Sequence, residues 1–356
     1  MKKEILIAGA GPSGLSMAIF LNALGYQPRI IDKKPNIGPY SKALAINPRS
    51  LQILKPYGLT DRFLNNGRKM EAINIWKDDK FIYKNDFTKI KHAYPFMLVQ
   101  TQKESEEILL EEALNRNINI EYNTALSSLQ KTNQRYIANI NSNQTPSSTF
   151  DFIIGADGGQ SVVRQQASIQ FDGFKYDEEW ELYDIELDTP VAEDEGHILI
   201  FSEGCMVMIR LKKNVWRIAG NLKNLIGYLP KNTSIGNIIW ESKFRIHHKV
   251  AQSLTNENIV LLGDAAHLHS PVGAKGMNLG IEDAFIASQL IHKNKLHTYN
   301  QVRRKHIKKT VKQINNMTMG LAGHSASANF IRNRLELLKV FFPFIMPHVR
   351  KFIMGL

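Results

Sequence analysis

The sequence predicts a mixed α/β fold in which a parallel-sheet domain is interrupted by strand-rich insertions and followed by helices. Three observations support this prediction. A short apolar run near the amino terminus leads into a glycine-rich turn and a helical pattern, a strand-rich block covers about Trp180 to Ala219, and a second strand–loop–helix pattern begins after Ile259. Strands that alternate with helices favour a parallel sheet, and the block between them favours a second sheet.

The amino-terminal segment GAGPSGLSMAIF allows two interpretations. A secretory signal needs a charged start and an unbroken apolar run, but Glu4 interrupts the start and three glycines and Pro12 break the run. A strand over Ile5 to Ala8, a phosphate-binding turn and a helix account for all of these residues, which predicts a Rossmann-like dinucleotide site. The candidate binding residues of this turn are Gly9, Gly11, Pro12, Ser13 and Gly14.

A second predicted strand, Pro28 to Ile31, ends at an acidic residue, Asp32. A carboxylate at the end of this strand is suited to accept hydrogen bonds from ribose hydroxyls of a dinucleotide. The next residue, Lys33, is included in the candidate cofactor site. A strand before the turn, a helix after it and an acid at the end of the next strand together indicate a dinucleotide cofactor more strongly than the glycine pattern alone.

Composition excludes several classes of protein. The chain has 356 residues, 43% of them hydrophobic, which allows a large core and suggests two domains. Its net charge of +12 would suit an acidic partner, but the basic residues are scattered and no nucleic-acid-binding motif accompanies them, so we expect no nucleic acid partner. The densest basic cluster, Arg303 to Lys309, is expected to be the solvated face of a helix.

The single cysteine, Cys205, excludes an intrachain disulfide and the dithiol type of flavin reductase. No apolar stretch is long enough to span a bilayer. The expected protein is therefore soluble and cytoplasmic.

Between the two strand–loop–helix segments, the pattern predicts several shorter elements. Helical spacing covers Ser50 to Tyr57 and Ser105 to Leu114, whereas the segment around Asp78 and Asp79 predicts a hairpin. Asn141 to Thr149 is predicted to be a polar loop. Further strands are predicted at Ile118 to Tyr122, Arg135 to Ile140, ELYDIEL, HILIF, CMVMIRL and VWRIAG.

The segment from Asn258 to Ala284 contains a second candidate cofactor site. A buried strand ends at Gly263 and Asp264, where a carboxylate could accept a hydroxyl of a polyol chain. A glycine-rich turn then opens a helix whose free amides would favour an anionic ring edge. Reduction of a flavin leaves negative charge at N1 and O2, which such a helix start would stabilise. The candidate residues of the turn and helix start are Gly273, Gly276, Met277 and Asn278.

Four motifs together resemble the single-component, FAD-dependent aromatic hydroxylases, the family that includes 4-hydroxybenzoate hydroxylase and phenol hydroxylase. GAGPSG with Asp32 resembles the family's AMP and pyrophosphate site, and GDAAHLHSP with GAKGMN resembles its second FAD motif. GADGGQSVVR resembles its DGxxSxxR motif, which implies a role for Asp157 and Arg164 near the pyrophosphate. QKESEEILLEEAL resembles the helix that supplies a FAD-contacting glutamine, here Gln102.

Two positions distinguish this chain within the resemblance. Lys42 occupies a position where the family usually has arginine, so it keeps the charge but loses the bidentate fork. Lys275 gives the GAKG variant that the 4-hydroxybenzoate hydroxylases share, and it could stabilise the reduced flavin anion. A solvent-facing lysine is the alternative at position 275.

The resemblance implies a Rossmann-like FAD-binding domain with an interleaved β-sheet substrate domain. We expect a discontinuous FAD-binding domain over 1–70, 96–175 and 255–330, a substrate domain over 71–95 and 176–254, and a C-terminal helical segment over 331–356. The reaction implied is hydroxylation of an aromatic or phenolic substrate with NADPH or NADH and O2, through a hydroperoxide at flavin C4a. No metal is expected.

Pro271 and Lys275 are the candidate catalytic residues, because the resemblance places the Pro271 carbonyl near flavin and substrate. His267 and His269 could relay protons, or they could be structural. An FAD-dependent reductase or dehydrogenase on the same fold, or a membrane-docked FAD-binding accessory protein, is the alternative function. Substrate identity, the choice of NADH or NADPH, and oligomeric state stay open.

The strand CMVMIRL is expected to line the substrate pocket. Alternation places Met206, Met208 and Arg210 on one face and Cys205, Val207 and Ile209 on the other. Methionines toward the pocket would suit a bulky aromatic ring, whereas core packing is the alternative. The apolar C-terminus, with basic residues and two prolines, could contact an anionic membrane or could cover the pocket.

Overall fold

The computed structural model describes residues 3–39, 43–141, 147–323, 330, 332 and 334–356. Its strands are β1 Ile5–Ala8, β2 Arg29–Ile31, β3 Ala45–Ile46, β4 Arg68–Met70, β5 Ala72–Lys77, β6 Lys80–Asp86, β7 Met97–Val99, β8 Ile120–Glu121, β9 Ala125–Thr132, β10 Arg135–Asn141, β11 Ser147–Phe150, β12 Phe152–Gly155, β13 Phe171–Asp188, β14 Gly196–Ile200, β15 Cys205–Lys212, β16 Val215–Gly220, β17 Ser234–Ala251, β18 Thr255–Asn256, β19 Ile259–Leu261 and β20 His267–Leu268.

The helices of the described residues alternate with these strands at first and then fill the C-terminal part of the chain. They are α1 Pro12–Ala23, α2 Pro48–Leu54, α3 Leu59–Asn66, α4 Gln102–Asn115, α5 Val162–Gln166, α6 Gly276–His292, α7 Tyr299–Ala322, α8 Leu335–Leu338 and α9 Phe342–Met354. Short 3₁₀ helices include Gly263–Ala265 and Lys339–Phe341.

A six-stranded sheet forms the centre of the molecule, in the order β18-β19-β12-β1-β2-β8. All of its neighbours pair in parallel except β18 with β19. The strands β1, β12 and β19 are buried throughout because α1 and α6 pack against the sheet and form the largest core with it. The carboxyl ends of β1, β2, β12 and β19 therefore meet at one edge, where the loops that follow them converge.

The second layer is an eight-stranded sheet in the order β20-β17-β13-β16-β15-β14-β5-β6. Its strands come from three separate parts of the chain. The boundaries expected for the discontinuous domains stay a prediction. Two three-stranded sheets, β11-β10-β9 and β3-β7-β4, complete the strands. The structure shows the predicted mixed α/β fold, with helices in the C-terminal part.

Several predictions of local structure are confirmed and others are corrected. The hairpin around Asp78 and Asp79 is β5 and β6. The polar loop predicted for Asn141 to Thr149 is wrong at both ends, because Asn141 is the last residue of β10 and Ser147–Phe150 pairs with β10 as a strand; residues 142–146 lie outside the described residues. The 18-residue strand β17 was not predicted. Lys42 also lies outside the described residues, so its expected role stays a prediction.

The basic cluster from Arg303 to Lys309 is only partly a solvated helix face. Arg303 is buried, and its Nε donates to Asp283 Oδ1 at 2.5 Å while its Nη1 lies 2.7 Å from Glu282 Oε2. The expectation is wrong for this residue because α6 supplies two acids directly opposite it. In the described part of the chain, no helix combines the length and the apolar character needed to cross a membrane.

Candidate functional site

A cavity of about 890 Å³ starts at the converging loops of the six-stranded sheet and extends to the eight-stranded sheet. Its first part is lined by Gly9, Gly11, Pro12, Ser13, Asp32 and Lys33. Further along, it is lined by Asp157, Asp264 and the segment from Leu268 to Met277. The structure thus brings together in one cavity most of the residues predicted from separate motifs.

The glycines of the first turn are needed for different structural reasons. A Cβ atom on Gly9, whose φ is +102°, would overlap the Ala156 carbonyl oxygen, and a Cβ atom on Gly14 would overlap the Gly9 carbonyl oxygen. A Cβ atom on Gly11 would instead meet open space, because the nearest atom to it, Glu106 Oε1, would lie 4.0 Å away. Gly9 and Gly14 therefore allow close packing, whereas Gly11 leaves the backbone accessible to a ligand in the cavity.

Ser13 packs between the two cofactor loops. Cβ atoms placed on Gly263 or Gly280 would both overlap its hydroxyl. Small residues at these two positions let α1 and α6 approach closely. The contact fixes the phosphate turn relative to the second loop.

Asp32 holds the end of β2 and the first turn together. Its Oδ2 accepts a hydrogen bond from the Ala10 amide at 2.7 Å, and its Oδ1 accepts one from the Lys34 amide at 2.8 Å. Each carboxylate oxygen can accept more than one hydrogen bond, so capacity for ligand hydroxyls remains. Lys33 lines the cavity beside Asp32 with an exposed side chain.

The start of α4 places a polar pair in the cavity wall. Thr101 and Glu104 form a capping box that fixes the first turn of this helix. Gln102 Nε2 then donates to Glu106 Oε1 at 2.6 Å, and burial raises the pKa of the Glu106 carboxyl. Sequence reasoning identified Gln102 but missed Glu106, although its position four residues later on a helix indicated the same face.

Asp157 and Arg164 have different positions relative to the cavity. Asp157 lines it; its Oδ2 accepts from the Val162 and Val163 amides at 2.7 and 3.1 Å and so caps α5. Arg164 is buried behind the loops, where it donates to the Gly159 and Ala265 carbonyls at 2.9 and 3.0 Å. The guanidinium therefore joins the loop after β12 to the loop after β19 instead of lining the cavity.

The second cofactor loop ends in the start of α6. Gly263 has a φ of +54° and Gly273 a φ of +83°, conformations that favour glycine. Asp264 lines the cavity with an exposed side chain. The first amides of α6, from Gly276 to Asn278, lack intrahelical partners, so the helix start is suited to a negatively charged group.

Asn278 uses its side chain to brace this helix start. Its Nδ2 donates to the Ala45 and Ala274 carbonyls at 2.8 and 2.7 Å, and its Oδ1 accepts from the Asn47 amide at 2.9 Å. Both Nδ2 hydrogens are therefore used within the protein. Its backbone amide and those of Gly276 and Met277 lie in the first turn of α6, where a ligand could bind. Met277 and Gly276 both line the cavity.

Lys275 is buried in the cavity wall, with 5% of its surface exposed, so the solvent-facing alternative is wrong. Its ammonium lies 4.7 Å from the centre of the Phe352 ring of α9. No carboxylate within the described ranges forms an ion pair with it. Burial lowers the pKa of Lys275 to about 8, and the charge of Glu282 acts in the opposite direction.

Pro271 also lines the cavity, and its carbonyl accepts a hydrogen bond from the Ala274 amide at 3.0 Å within the turn. A carbonyl oxygen has a second lone pair, so this bond leaves it able to accept from a ligand.

The two histidines of the loop differ. His267 is fully buried and its Nε2 lies 2.7 Å from Asp283 Oδ2, in a network that continues to Arg303. It does not line the cavity, which supports the structural alternative. His269 lines the cavity, and its Nδ1 donates to the Ser270 carbonyl at 2.8 Å. Burial lowers the pKa of His269 to about 3, so its ring is neutral at neutral pH.

The far end of the cavity is mainly apolar and lies against the eight-stranded sheet. Its walls include Trp180, Leu182, Val207, Ile209, Phe244 and Ile246. Met317, Leu321 and Ile353 close it from the C-terminal helices, which confirms that these helices cover the pocket. The sequence did not indicate Phe244 and Ile246 because it did not predict β17. Trp180 stands at the start of the predicted strand-rich block, just before the strand predicted at ELYDIEL, and was not assigned to the pocket.

The expectation that Met206, Met208 and Arg210 face the substrate is wrong. Met206 and Met208 pack in a separate core with Trp216 on the other side of the sheet. Arg210 binds the Glu193 and Asp194 side chains at 2.8 and 2.7 Å. The period of two was correct, but the opposite set, with Val207 and Ile209, faces the cavity.

Arg217 also reaches the cavity, but it is committed to a buried ion pair. Its Nε and Nη2 donate to the two carboxylate oxygens of Asp184, both at 2.7 Å.

No cluster of metal-binding side chains is present in the ranges that the structure covers.

Comparison with known proteins identifies relatives of this chain. The chain is 27% identical over 305 residues to 6-methylpretetramide 4-monooxygenase of Streptomyces rimosus and 28% identical over 309 residues to pentachlorophenol 4-monooxygenase of Sphingobium chlorophenolicum. These alignments cover 79% of this chain but 54% and 56% of the relatives, so the chain spans little more than half of their length.

Solved structures show the same fold at low sequence identity. A p-nitrophenol 4-monooxygenase from Pseudomonas putida superposes with a TM-score of 0.83 at 18% identity, over 99% of this chain and 98% of that one. An anhydrotetracycline hydroxylase from Streptomyces rimosus gives a TM-score of 0.80 at 20% identity, over 100% and 76% of the two chains. Residues 2–220 and 217–314 match the family described as FAD binding domain; since this match covers most of the sequence, the chain belongs to that family.

Proposed function

We propose that the protein is an FAD-dependent monooxygenase that uses NADPH or NADH and O2 to hydroxylate an aromatic or phenolic substrate. The observation that carries this proposal is the single cavity that joins the phosphate turn, the start of α6 and an apolar wall of the eight-stranded sheet. The names of the two relatives, both 4-monooxygenases and one of them acting on a phenol, support it.

The residues of the cavity fit FAD. The open face at Gly11 and the amides at the start of α1 would hold the pyrophosphate, and Asp32 would accept ribose hydroxyls. Asp264 would accept a hydroxyl of the ribityl chain. The free amides at the start of α6 would face the pyrimidine edge of the ring system, where negative charge develops on reduction.

Bound FAD supplies the hydride acceptor and the site of reaction with O2, and the protein supplies orientation and a suitable environment. The apolar wall of Leu182, Val207 and Phe244 keeps water away from the reacting atoms and holds an aromatic ring by burial. Lys275 contributes a buried positive charge next to the helix start. His269 is neutral, so it adds no further charge there.

The experiment that tests the proposal begins with the purified protein, which we expect to be yellow and to release FAD on heating. Stopped-flow screening of phenols, benzoates and polycyclic aromatics should identify a compound that accelerates NADPH or NADH oxidation. Product formed in ¹⁸O2 should contain one labelled oxygen per substrate. Release of FMN alone, or of no flavin, would contradict the cofactor assignment.

The same measurements separate the alternative functions. A reductase or dehydrogenase would oxidise NADPH or NADH without placing labelled oxygen in the product. An accessory protein would bind FAD without substrate-stimulated turnover. Either outcome would exclude the hydroxylase function and would be compatible with the FAD site.

A further inference from the structure

The last part of the chain is a nearly continuous helical run formed by α8, the 3₁₀ turn Lys339–Phe341 and α9. Its inner side is buried: Leu335, Phe342 and Met346 pack against β6 and β14, and Ile353 closes the cavity. A helical run on a protein surface normally has polar residues on its outer side, because that side faces water. Here the outer side is apolar as well.

Five large apolar side chains lie on this outer side, at positions three, four, seven and eight residues from the first. Between 51% and 76% of each is exposed, and Leu337 and Phe344 have the largest exposures of any large hydrophobic residue in the described part of the chain. The spacing places them along one face of the run. We call this face the outer strip; it consists of Leu337, Val340, Phe341, Phe344 and Ile345.

The charges around the outer strip are mainly positive. Arg334 and Lys351 are exposed and lie on the same face as the strip, three residues before Leu337 and seven residues after Phe344. Glu336 is the one acid between residues 334 and 356, and its carboxylate binds Lys80 of the β5–β6 hairpin at 3.2 Å. An apolar strip with a positively charged border matches a surface that is apolar inside and anionic outside. A second copy of the chain would bring like charges together across the same strip.

We propose that the outer strip binds the surface of a bilayer that contains anionic lipids. The five apolar side chains enter the interface between headgroups and acyl chains, while Arg334 and Lys351 contact anionic headgroups. The helical run lies along the surface and does not span the bilayer, since its inner side stays packed on the sheet. The proposal concerns where the protein binds and does not depend on the reaction that it catalyses.

Vesicle flotation of the full FAD-loaded protein tests this inference. We expect binding to vesicles of phosphatidylcholine mixed with phosphatidylglycerol, weaker binding to phosphatidylcholine alone, and release from the mixed vesicles at high salt. The double variant Leu337→Glu/Phe344→Glu should bind at least about tenfold more weakly, because two inserted side chains are lost. Arg334→Gln/Lys351→Gln should weaken binding to the anionic vesicles selectively.

The control variant is Val302→Glu, at a similarly exposed apolar residue of α7 far along the chain from the strip. It should bind vesicles like the parent protein. All variants change exposed side chains, so FAD content and far-UV circular dichroism should stay unchanged. Absence of vesicle binding by the parent, or equal binding by Leu337→Glu/Phe344→Glu, would overturn the proposal. A parent dimer that this double variant converts to a monomer, without vesicle binding, would show that a second copy covers the strip.

Discussion

The Lys275 ammonium lies 4.7 Å from the centre of the Phe352 ring, so a helix near the end of the chain supports a charge beside the start of α6. The aromatic ring partly replaces the water that burial removes from the ammonium. No carboxylate of the described segments neutralises this charge by an ion pair. The charge is therefore available to stabilise an anionic group bound in the cavity.

Replacing Lys275 with methionine should lower the two-electron potential of bound FAD by tens of millivolts. The methionine keeps an apolar stem and removes the charge, so the reduced anion loses a favourable interaction, and about 30 mV corresponds to about 1.4 kcal/mol for such a couple. FAD affinity should change less, because most binding contacts lie at the pyrophosphate and ribityl chain. Spectroelectrochemical titration measures the potential, with Lys293→Met at the exposed end of α6 as the control. An unchanged potential in Lys275→Met with FAD fully bound would exclude the electrostatic role.

The lowered pKa of Lys275 also predicts how stability depends on pH. Burial lowers this pKa to about 8 in the folded protein, whereas in the unfolded chain the pKa of the lysine is about 10.4. Between these values the unfolded state binds more protons, so the free energy of unfolding rises with pH relative to a variant without the lysine. The difference between the parent and Lys275→Met should shift by about 1 to 3 kcal/mol in favour of the parent across this window. Urea denaturation at pH 7 and pH 10 measures it, and a constant difference would contradict the buried charge.

Sequence patterns predicted the phosphate turn and its place in the cavity well because the turn depends on local geometry. The strand Ile5–Ala8, the turn after it and Asp32 are close in sequence, and the glycines that the turn requires are visible as residue types. The strand β17 was missed for a physical reason. Its first six residues, 234–239, are all exposed, and burial alternates only from Trp240 onward, so the pattern of a half-buried strand covers only part of its length.

The residues of the apolar end of the cavity could not be predicted in the same detail, because their positions depend on packing between distant segments. The alternation in β15 correctly separated two sets of side chains, but the sequence did not indicate which set would face the cavity. Similarly, the burial of Lys275 depends on Phe352, which is distant in sequence. Arg303 was assigned to a solvated helix face because its acidic partners lie on another helix.

Asp264→Ala should weaken FAD binding at least about tenfold. Loss of the hydrogen bonds that a carboxylate accepts from a buried hydroxyl costs about 1.5 to 3 kcal/mol, which is the expected change in binding free energy. Equilibrium dialysis against free FAD measures the affinity. Asp188→Ala, at the exposed end of β13, removes a carboxylate outside the cavity and serves as the control. Equal FAD retention in Asp264→Ala and the parent protein would show that this carboxylate does not contact the cofactor.

The two faces of β15 should respond in opposite ways to substitution. Met206 is fully buried in the core behind the sheet, so Met206→Ala should lower the free energy of unfolding by about 2 to 5 kcal/mol and leave substrate affinity nearly unchanged. Val207 lines the cavity, so Val207→Phe should fill space that the substrate needs and should raise the Kd of a bulky aromatic ligand at least about tenfold, a change of about 1.4 kcal/mol. Urea denaturation and titration of the flavin spectrum with ligand measure the two effects on the same protein samples. A larger change in ligand affinity for Met206→Ala than for Val207→Phe would show that the strand presents the other face to the substrate, as the methionine interpretation of the sequence required.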